Sequence, residues 1–250
     1  MPYGLYISAE GAQVQSQRLE IIANNLANVD TVGFKRELSI MQSRASEAVE
    51  QGSVAAGSGS IEEVGGGVRM RETKTDFSPG PLKRTKTPTD VAIEGEGFFT
   101  VRKGQETLLT RSGNFRMTNG GELVTQQGYP VLSDSNTPVS IAPDSGPWEI
   151  NSSGAMVQGT SVQNLAIVKP KSLGDLAKAG ENLFRPLAAV QPVAPAERSV
   201  ASGNLEMSAV QPTTEMTAMI EASRLLEANV NVLKSQDQML EGLVSRILRA

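Results

Sequence analysis

The C-terminal end of the chain carries an apolar repeat with a seven-residue period, and this repeat restricts the fold more than any other feature. The main series consists of Met219, Leu226, Leu233, Leu240 and Ile247. The alternating three-and-four step is filled by Met216, Val230 and Val244. Such spacing places a narrow apolar stripe along one side of a long α-helix. We therefore expect a helix over residues 212–249, with Pro212 at the favoured first position.

The N-terminal end carries a matching repeat. Its apolar positions are Leu5, Ala12, Leu19 and Leu26, with Ile22 and Val29 beside them. We expect a helix over residues 4–29. One such stripe alone is equally consistent with an internal helix packed on its own domain. Two matching stripes, separated by a different kind of sequence, favour a coiled-coil-like pair of terminal helices that serves as an assembly seam.

Composition excludes most catalytic chemistry. The 250-residue chain has no Cys and no His, which removes thiol nucleophiles, disulfides, imidazole bases and most zinc or haem sites. The net charge of −4 gives no electrostatic attraction to nucleic acid. No stretch has the roughly 18 apolar residues of a membrane span, and the first residues do not resemble a signal peptide. We expect no catalytic residues, metal, cofactor or small-molecule substrate.

The chain divides into four zones of an α+β fold. We expect an N-terminal helical segment at 1–50, a Gly/Ser-rich extended connector at 51–75, a central antiparallel turn-rich β domain at 76–204 and a C-terminal helical segment at 205–250. Within the first zone, a second helix is predicted because apolar residues recur at helical spacing. These residues are Phe34, Leu38, Met41, Ala45 and Ala48.

The middle of the chain has short apolar segments separated by Gly, Pro and Asn, as in a β domain. The clearest element is a hairpin within residues 114–125, where Phe115 and Met117 alternate with polar residues. Asn119-Gly120 predicts a type I′ turn at its tip.

A short glycine motif in the β region predicts a turn and not a nucleotide-binding loop. Gly95-Glu96-Gly97 lacks the third glycine of a dinucleotide loop and predicts a turn.

Several segments together resemble one known family. Residues 23–36, with the sequence ANNLANVDTVGFKR, resemble the N-terminal signature of bacterial flagellar rod and hook proteins. The signature residues are Asn24, Asn25, Leu26, Ala27, Asn28, Thr31, Gly33 and Phe34. Further segments follow in the family's order: DVAIEGEGFF at 90–99, TRSGNF at 110–115, GGELVTQQGY at 120–129, ENLF at 181–184 and residues 202–240. The resemblance thus covers nearly the whole chain.

The resemblance implies a structural subunit of the basal-body rod, most similar to the proximal-rod type with a single β domain. The distal-rod type, or another axial protein of the hook family, is the alternative. Rod proteins are exported through the flagellar type III apparatus without a cleaved signal. Their terminal segments form an inner helical layer inside the β domains, and the rod transmits torque to the hook. The implied partners are copies of the chain, other rod proteins and the export apparatus.

Two readings from other classes stay open at this point. A secreted adhesin with coiled-coil ends and a β domain would not need the signature at 23–36. An enzyme using Ser, Lys or carboxylates would need a convergent pocket in the β domain.

Overall fold

A computed structural model describes residues 3–55, 57, 65–142 and 146–247. Part of the predicted connector, residues 56 and 58–64, lies outside the described residues. The fold is α+β, as the sequence predicts: long helices at both ends enclose a central antiparallel β region in the chain order.

The described helices are α1 (Tyr3–Ala27), α2 (Glu47–Glu50) and α3 (Pro212–Ile247), with short 3₁₀ turns at Leu173–Asp175 and Pro195–Glu197. The predicted terminal helices are confirmed, and α3 begins at Pro212. At about 1.5 Å per residue, α3 is roughly 54 Å long. Neither α1 nor α3, within the described residues, has an apolar window long enough to cross a membrane.

Seventeen strands are described. They are β1 (Glu37–Ser43), β2 (Val68–Thr75), β3 (Leu82–Arg84), β4 (Val91–Ile93), β5 (Phe98–Lys103), β6 (Glu106–Thr110), β7 (Arg116–Met117), β8 (Leu123–Val124), β9 (Trp148–Ile150), β10 (Ala155–Gln158), β11 (Ser161–Asn164), β12 (Ile167–Pro170), β13 (Leu176–Gly180), β14 (Leu183–Pro186), β15 (Val190–Pro192), β16 (Val200–Ser202) and β17 (Asn204–Glu206).

All described strand pairs are antiparallel. The largest sheet has the order β13-β14-β6-β5-β12-β15. Smaller sheets pair β11-β10-β9, β16-β4, β17-β3, β7-β8 and β1-β2. Strand β17 comes from just before α3, and it pairs with β3 near the start of the β region. The last strand before α3 therefore pairs with the first strand of the central β region.

The chain forms two compact units. Unit 1 takes the described residues of Met1–Ala27, Glu37–Asp76 and Gln211–Ala250, which include the three helices and the β1-β2 pair. Unit 2 takes Asn28–Arg36 and Phe77–Val210. The domain boundaries expected from the sequence stay predictions about which segments fold independently.

The second helix predicted from Phe34 onward is wrong. Residues 37–43 form strand β1, which pairs with β2, and only α2 is helical in this region. The helical spacing of Leu38 and Met41 was a local signal, whereas cross-strand pairing with β2 is a tertiary interaction that overrides it.

The predicted hairpin is confirmed, but its predicted type I′ turn is wrong. Strands β7 and β8 pair as expected, and the Gly121 amide donates to the Thr118 carbonyl at 2.9 Å. Gly121, with φ of 81°, has the positive angle that was expected of Asn119 and Gly120. The turn at 118–121 ends on this left-handed glycine, so the loop has three residues instead of two. A three-residue loop of this kind is a common alternative to the two-residue turn.

The core of unit 2 lies among its sheets. Its fully buried side chains include Phe99, Val101, Leu123 and Leu165. A second cluster on the six-stranded sheet brings together the rings of Phe77, Phe98 and Phe184, with centroids 5.3–5.8 Å apart. Unit 2 therefore has two buried apolar clusters despite an aromatic content of only 4%.

Candidate assembly site

The two long helices of unit 1 pack against each other in opposite directions. A Cβ built at Gly4 would lie 2.9 Å from Gln236 Nε2, and one at Gly11 would lie 3.0 Å from Asn229 Oδ1. Seven residues forward on α1 thus correspond to seven residues backward on α3. The absence of a side chain at Gly4 and Gly11 lets the two helices approach closely.

The face of α3 toward α1 follows from these contacts. Asn229 and Gln236 belong to a series with Glu215 and Ala222, and Ala222 is completely buried. The predicted main series interleaves with it at three-and-four spacing, and its members Met219, Leu226, Leu233 and Leu240 are all half-buried. The main apolar series therefore lies on the α1 side of α3.

The second predicted series lies elsewhere. Met216 and Val244 are each 54% exposed, and Val230 is half-buried. The positions that complete the contact with α1 are instead the 215–236 series, three of whose four members are polar. Ile247 ends the described helix, and its side chain lies outside the described set.

The predicted positions on α1 are covered to different degrees. Ile22 is buried, and the half-buried members are Leu5, Ala12, Leu19 and Leu26. Val14, which the seven-residue pattern missed, is only 4% exposed. Whether these residues form an assembly seam between subunits stays a prediction.

Asn25 of the signature joins the end of α1 to the start of β1. Its side-chain amide donates to the Glu37 carbonyl at 2.9 Å, and its side-chain oxygen accepts from the Glu37 amide at 2.8 Å. The buried side chain thus pairs with a strand residue as a neighbouring strand would. Leu26 and Ala27 complete the last turn of α1, and Asn24 is exposed on the same turn.

The rest of the signature forms a tight turn in unit 2. The Thr31 amide donates to the Asn28 carbonyl at 3.2 Å, and the Thr31 hydroxyl donates to Asn28 Oδ1 at 3.1 Å. Gly33 has φ of 66°, and a Cβ there would lie 2.5 Å from the carbonyl carbon of Arg111. Its amide donates to the Glu206 carbonyl at 2.7 Å. Glycine is therefore required at this position by its positive φ angle and by the lack of space for a Cβ atom.

The hairpin of β13 and β14 holds the same turn from another direction. The side-chain amide of Asn182 donates to the Val32 carbonyl at 2.7 Å. Lys178 Nζ donates to the Lys35 carbonyl at 3.1 Å and lies 4.9 Å from the centre of the buried Phe34 ring. Asn182 belongs to the ENLF segment, so this segment of the resemblance contacts the signature directly.

A buried ionic cluster lies beneath the turn. Lys35 Nζ and Arg111 Nε each donate to Glu206, at 2.6 Å to separate carboxylate oxygens. The side chains of Lys35 and Glu206 are 2% exposed, and that of Arg111 is 5% exposed. The remaining hydrogen-bonding positions are also used, since Lys35 donates to the Ser78 carbonyl and the Gly80 amide donates to Glu206. Buried charged groups are stable only when they have ion-pair and hydrogen-bond partners of this kind.

Arg111 extends the cluster to the GEG segment. Its guanidinium donates to the carbonyls of Ile93 at 3.0 Å, Gly95 at 2.5 Å and Gly97. Gly95-Glu96-Gly97 is thus a turn, as predicted, and its backbone oxygens bind an arginine of the same chain. We name the set Lys35, Arg111, Lys178, Asn182 and Glu206 the signature cradle.

The electrostatics of the signature cradle favour a charged Glu206. Burial alone would raise the pKa of this carboxyl, but the adjacent Arg111 and Lys35 outweigh burial and hold its pKa below the ordinary 4.5. The arrangement binds a protein segment and leaves no free nucleophile or acid. Among the described residues, no group of acidic side chains has the spacing of a metal site.

Sequence reasoning did not identify the signature cradle. Lys35, Arg111, Asn182 and Glu206 all lie in segments that carry the resemblance, but their mutual contacts were not predicted. One available signal was a charged residue within each segment of the resemblance, as with Lys35 in VGFKR and Arg111 in TRSGNF. Such charges require partners if they are buried.

Comparison with known proteins matches three parts of the chain. Residues 5–35 match the family "Flagella basal body rod protein", residues 92–164 match "Flagellar hook protein FlgE/F/G D1 domain", and residues 201–246 match "Flagellar basal body rod FlgEFG protein C-terminal". The first and last of these matches cover most of α1 and α3, and the first also includes the signature turn.

Full-length relatives agree with these matches. The flagellar basal-body rod protein FlgF of Caulobacter vibrioides is 32% identical, over 99% of this chain and 98% of the relative. The flagellar basal-body rod protein FlgG of Bacillus subtilis is 33% identical, over 96% of this chain and 97% of the relative. FlgF of Mesorhizobium japonicum is 27% identical, over 98% of this chain and the whole relative.

Long helices at both chain ends and a central antiparallel β unit, together with these matches, define an axial protein of the bacterial flagellum. The chain belongs to the flagellar basal-body rod protein family and is a structural subunit of the rod. FlgF and FlgG relatives match with nearly equal identity, so the matches do not separate the proximal from the distal type.

Proposed function

We propose that the chain is a proximal-rod subunit that polymerises through α1 and α3 with copies of itself and with other rod proteins. The assembled rod transmits motor torque to the hook, and the chain performs no catalysis. The observation that carries this proposal is the amount of apolar surface that α3 exposes on both sides of its contact with α1.

One flank of α3 exposes the large apolar residues Met216, Ile220 and Val244, and the other exposes Leu225, Val232 and Met239. Each of these side chains is between 45% and 61% exposed. Extended apolar patches on a protein surface mark interaction sites. A helix with exposed apolar side chains on both flanks can pack against more than one neighbouring helix, as in the wall of a tube.

Unit 2 supplies the rigid part of the subunit. The turn that follows α1 is held by hydrogen bonds to Asn182, Lys178 and Glu206. It lies over a hydrogen-bonded ionic cluster. A load on α1 therefore passes through the covalent chain into a segment that the β unit holds firmly. This arrangement suits a shaft that must carry torque without shearing its subunits.

The location and route are also part of the proposal. We place the chain in the basal body, in the periplasmic part of the rod, after export through the flagellar type III apparatus without a cleaved signal. The support is membership in the rod family and the resemblance of residues 23–36. The proposed partners during export are components of that apparatus.

The experiment is a deletion strain carrying Leu233→Asp, with Asn231→Asp as the control. Leu233 is half-buried on the α1 side, whereas Asn231 is exposed on the opposite side of α3, so both variants add the same charge in different surroundings. A carboxylate in the apolar contact costs several kcal/mol. We expect Leu233→Asp to abolish swimming while export and the unfolding of unit 2 stay normal, and Asn231→Asp to swim.

Cryo-electron tomography of the same strains tests the position in the rod. The proximal type predicts that the deletion and Leu233→Asp strains have rods that stop near the inner membrane. Rods that stop only near the outer membrane would support the distal type. Normal rods and full motility with Leu233→Asp would contradict assembly through these helices.

A further inference from the structure

One exposed face of α3 alternates large and small side chains. Its large members are Leu225, Val232 and Met239, which are 46%, 45% and 61% exposed. Its small members are Ala228, Ser235 and Gly242, which are also exposed. Both series have a seven-residue period, and together they have the three-and-four spacing of a helix-packing seam. We name these six residues the outer stripe.

Gly242 has no explanation within the described part of the chain. Gly4 and Gly11 in α1 are explained by the close approach of α3. A Cβ at Gly242, in contrast, would meet nothing within 4 Å among the described residues. Glycine inside a helix costs about 1 kcal/mol relative to alanine. Among the described residues no close contact offsets this cost, and Gly242 leaves room for another helix to approach.

The outer stripe adjoins the contact between α1 and α3. Each of its large residues follows by three positions a member of the series that faces α1, namely Ala222, Asn229 and Gln236. One side of α3 therefore already packs against an α1 helix, and the adjacent side is open. A second α1 helix placed there would extend the same interface rather than begin a separate one.

The open side of α1 offers the complementary surface. Ala9, Ser16 and Ala23 are exposed, lie seven residues apart and have small side chains. This is the spacing of Leu225, Val232 and Met239, so each large side chain of the outer stripe has a position with room for it. Helices pack by inserting side chains of one into the spaces between side chains of the other.

We propose that the outer stripe of one copy binds the Ala9, Ser16 and Ala23 face of α1 in a second copy of this chain. This inference rests on the proposed function, because it names the partner surface of the same helices. The two surfaces differ, so the contact is head-to-tail and leaves one free surface at each end of the growing array. A contact between two outer stripes would instead close a symmetric dimer and end growth.

Cysteine cross-linking tests the pairing, because the chain has no native Cys. Full-length chain carrying Ser16→Cys and Val232→Cys is expressed in the deletion strain, and isolated basal bodies are oxidised. We expect disulfide-linked multimers in steps of 26.5 kDa. The control pair is Ser16→Cys with Asn231→Cys, which moves one thiol away from the outer stripe and should give at least about tenfold less product.

Three outcomes would overturn the proposal. Dimers from Val232→Cys alone would show a symmetric contact between outer stripes. Products whose mass is not a multiple of the chain would identify a different rod protein on the outer stripe. Equal products from the test and control pairs would show that the thiols meet without a specific face.

A second variant separates this inference from the proposed function. Val232→Glu places a charge on the outer stripe but not on the side of α3 that faces its own α1. We expect loss of the cross-linked multimers and of swimming, with the folding of the subunit unchanged. If Val232→Glu cells swim normally while Leu233→Asp cells do not, the outer stripe is not the interface, although assembly through the helices stands.

Discussion

Unit 2 and unit 1 differ in how completely each satisfies its own side chains. In unit 2, the buried charges of Lys35, Arg111 and Glu206 contact one another and nearby backbone groups. In unit 1, α3 exposes apolar side chains along both flanks. Among the described residues, buried polar atoms without a hydrogen-bond partner are Glu10 Oε2, Gln15 Oε1 and Gln236 Oε1 in its long helices, against Thr100 Oγ1 alone in unit 2.

This difference shows which part of the subunit leaves apolar surface uncovered. Unit 2 has a buried apolar core and paired internal charges, which are features of an independent domain. Unit 1 has apolar surface to cover and polar groups to satisfy, and both needs can be met by neighbouring helices. Unit 2 should therefore depend on its ionic cluster, and the signature residue Asn25 should hold the junction between α1 and β1.

The largest expected effect is that of Glu206→Gln. The change removes the carboxylate that both Lys35 and Arg111 contact, and breaking one side of a buried ion pair costs about 3–5 kcal/mol. Denaturant unfolding can be followed by the fluorescence of Trp148, the single tryptophan, which lies in unit 2. Exposed Glu197→Gln is the control and should change little. Equal stability of the two variants would show that the cluster does not stabilise unit 2.

Gly33→Ala should have the next largest effect. A Cβ at this position faces an unfavourable positive φ and a contact of 2.5 Å with the Arg111 backbone. We expect a loss of about 2–4 kcal/mol, measured by the same Trp148 fluorescence. Gly104→Ala is the matched control, since its φ is 63° but a Cβ there meets nothing within 4 Å. If both variants lose the same stability, backbone strain alone explains the glycine.

Asn25→Ala tests the junction in unit 1 and should have a smaller effect. The change removes two hydrogen bonds from the backbone of the half-buried Glu37, which costs about 1–3 kcal/mol. Hydrogen exchange of the β1 amides should become at least about fivefold faster. Exposed Gln13→Ala, also on α1, should leave exchange in β1 unchanged. Unchanged exchange in Asn25→Ala would mean that pairing with β2 alone fixes β1.

The two units also differ in how much of them the sequence could predict. The bounds of α1 and α3, and strands such as β4, follow from periodic or continuous apolar patterns that act over a few residues. Strand β1 was predicted as a helix because its pairing with β2 is not visible in its own spacing. The seven-residue pattern of α3 did not show that its contact with α1 within the subunit also uses Ala222, Asn229 and Gln236, two of them polar.

The signature cradle could not be predicted from local sequence patterns, because its members are far apart in the chain. Lys35 and Glu206 are 171 residues apart, so no periodicity or spacing connects them. The resemblance marked the segments that contain Lys35, Arg111, Asn182 and Glu206 without giving a reason for their residues. The structure supplies one, because all of these segments meet at the turn after α1. A pattern that persists across distant segments can therefore report one packed cluster.

The smallest expected effect is the acid dependence of unit 2, which sharpens the comparison by isolating one carboxyl. The folded pKa of Glu206 lies below its ordinary 4.5 because Arg111 and Lys35 outweigh burial. Its contribution to the free energy of unfolding is therefore complete above the unfolded pKa and is lost as pH falls toward the folded value. One proton gives a slope of at most about 1.4 kcal/mol per pH unit. The reference protein for this measurement is the double variant Lys35→Met with Glu206→Gln. It lacks the Glu206 carboxyl, while Arg111 still donates to its backbone carbonyls.

Unfolding by denaturant is followed by Trp148 fluorescence between about pH 6 and pH 3. The free energy of unfolding should fall more steeply below about pH 4.5 in the natural chain than in the double variant. Other carboxyl groups contribute equally to both curves, so parallel curves would mean that Glu206 has the same pKa in the folded and unfolded chain.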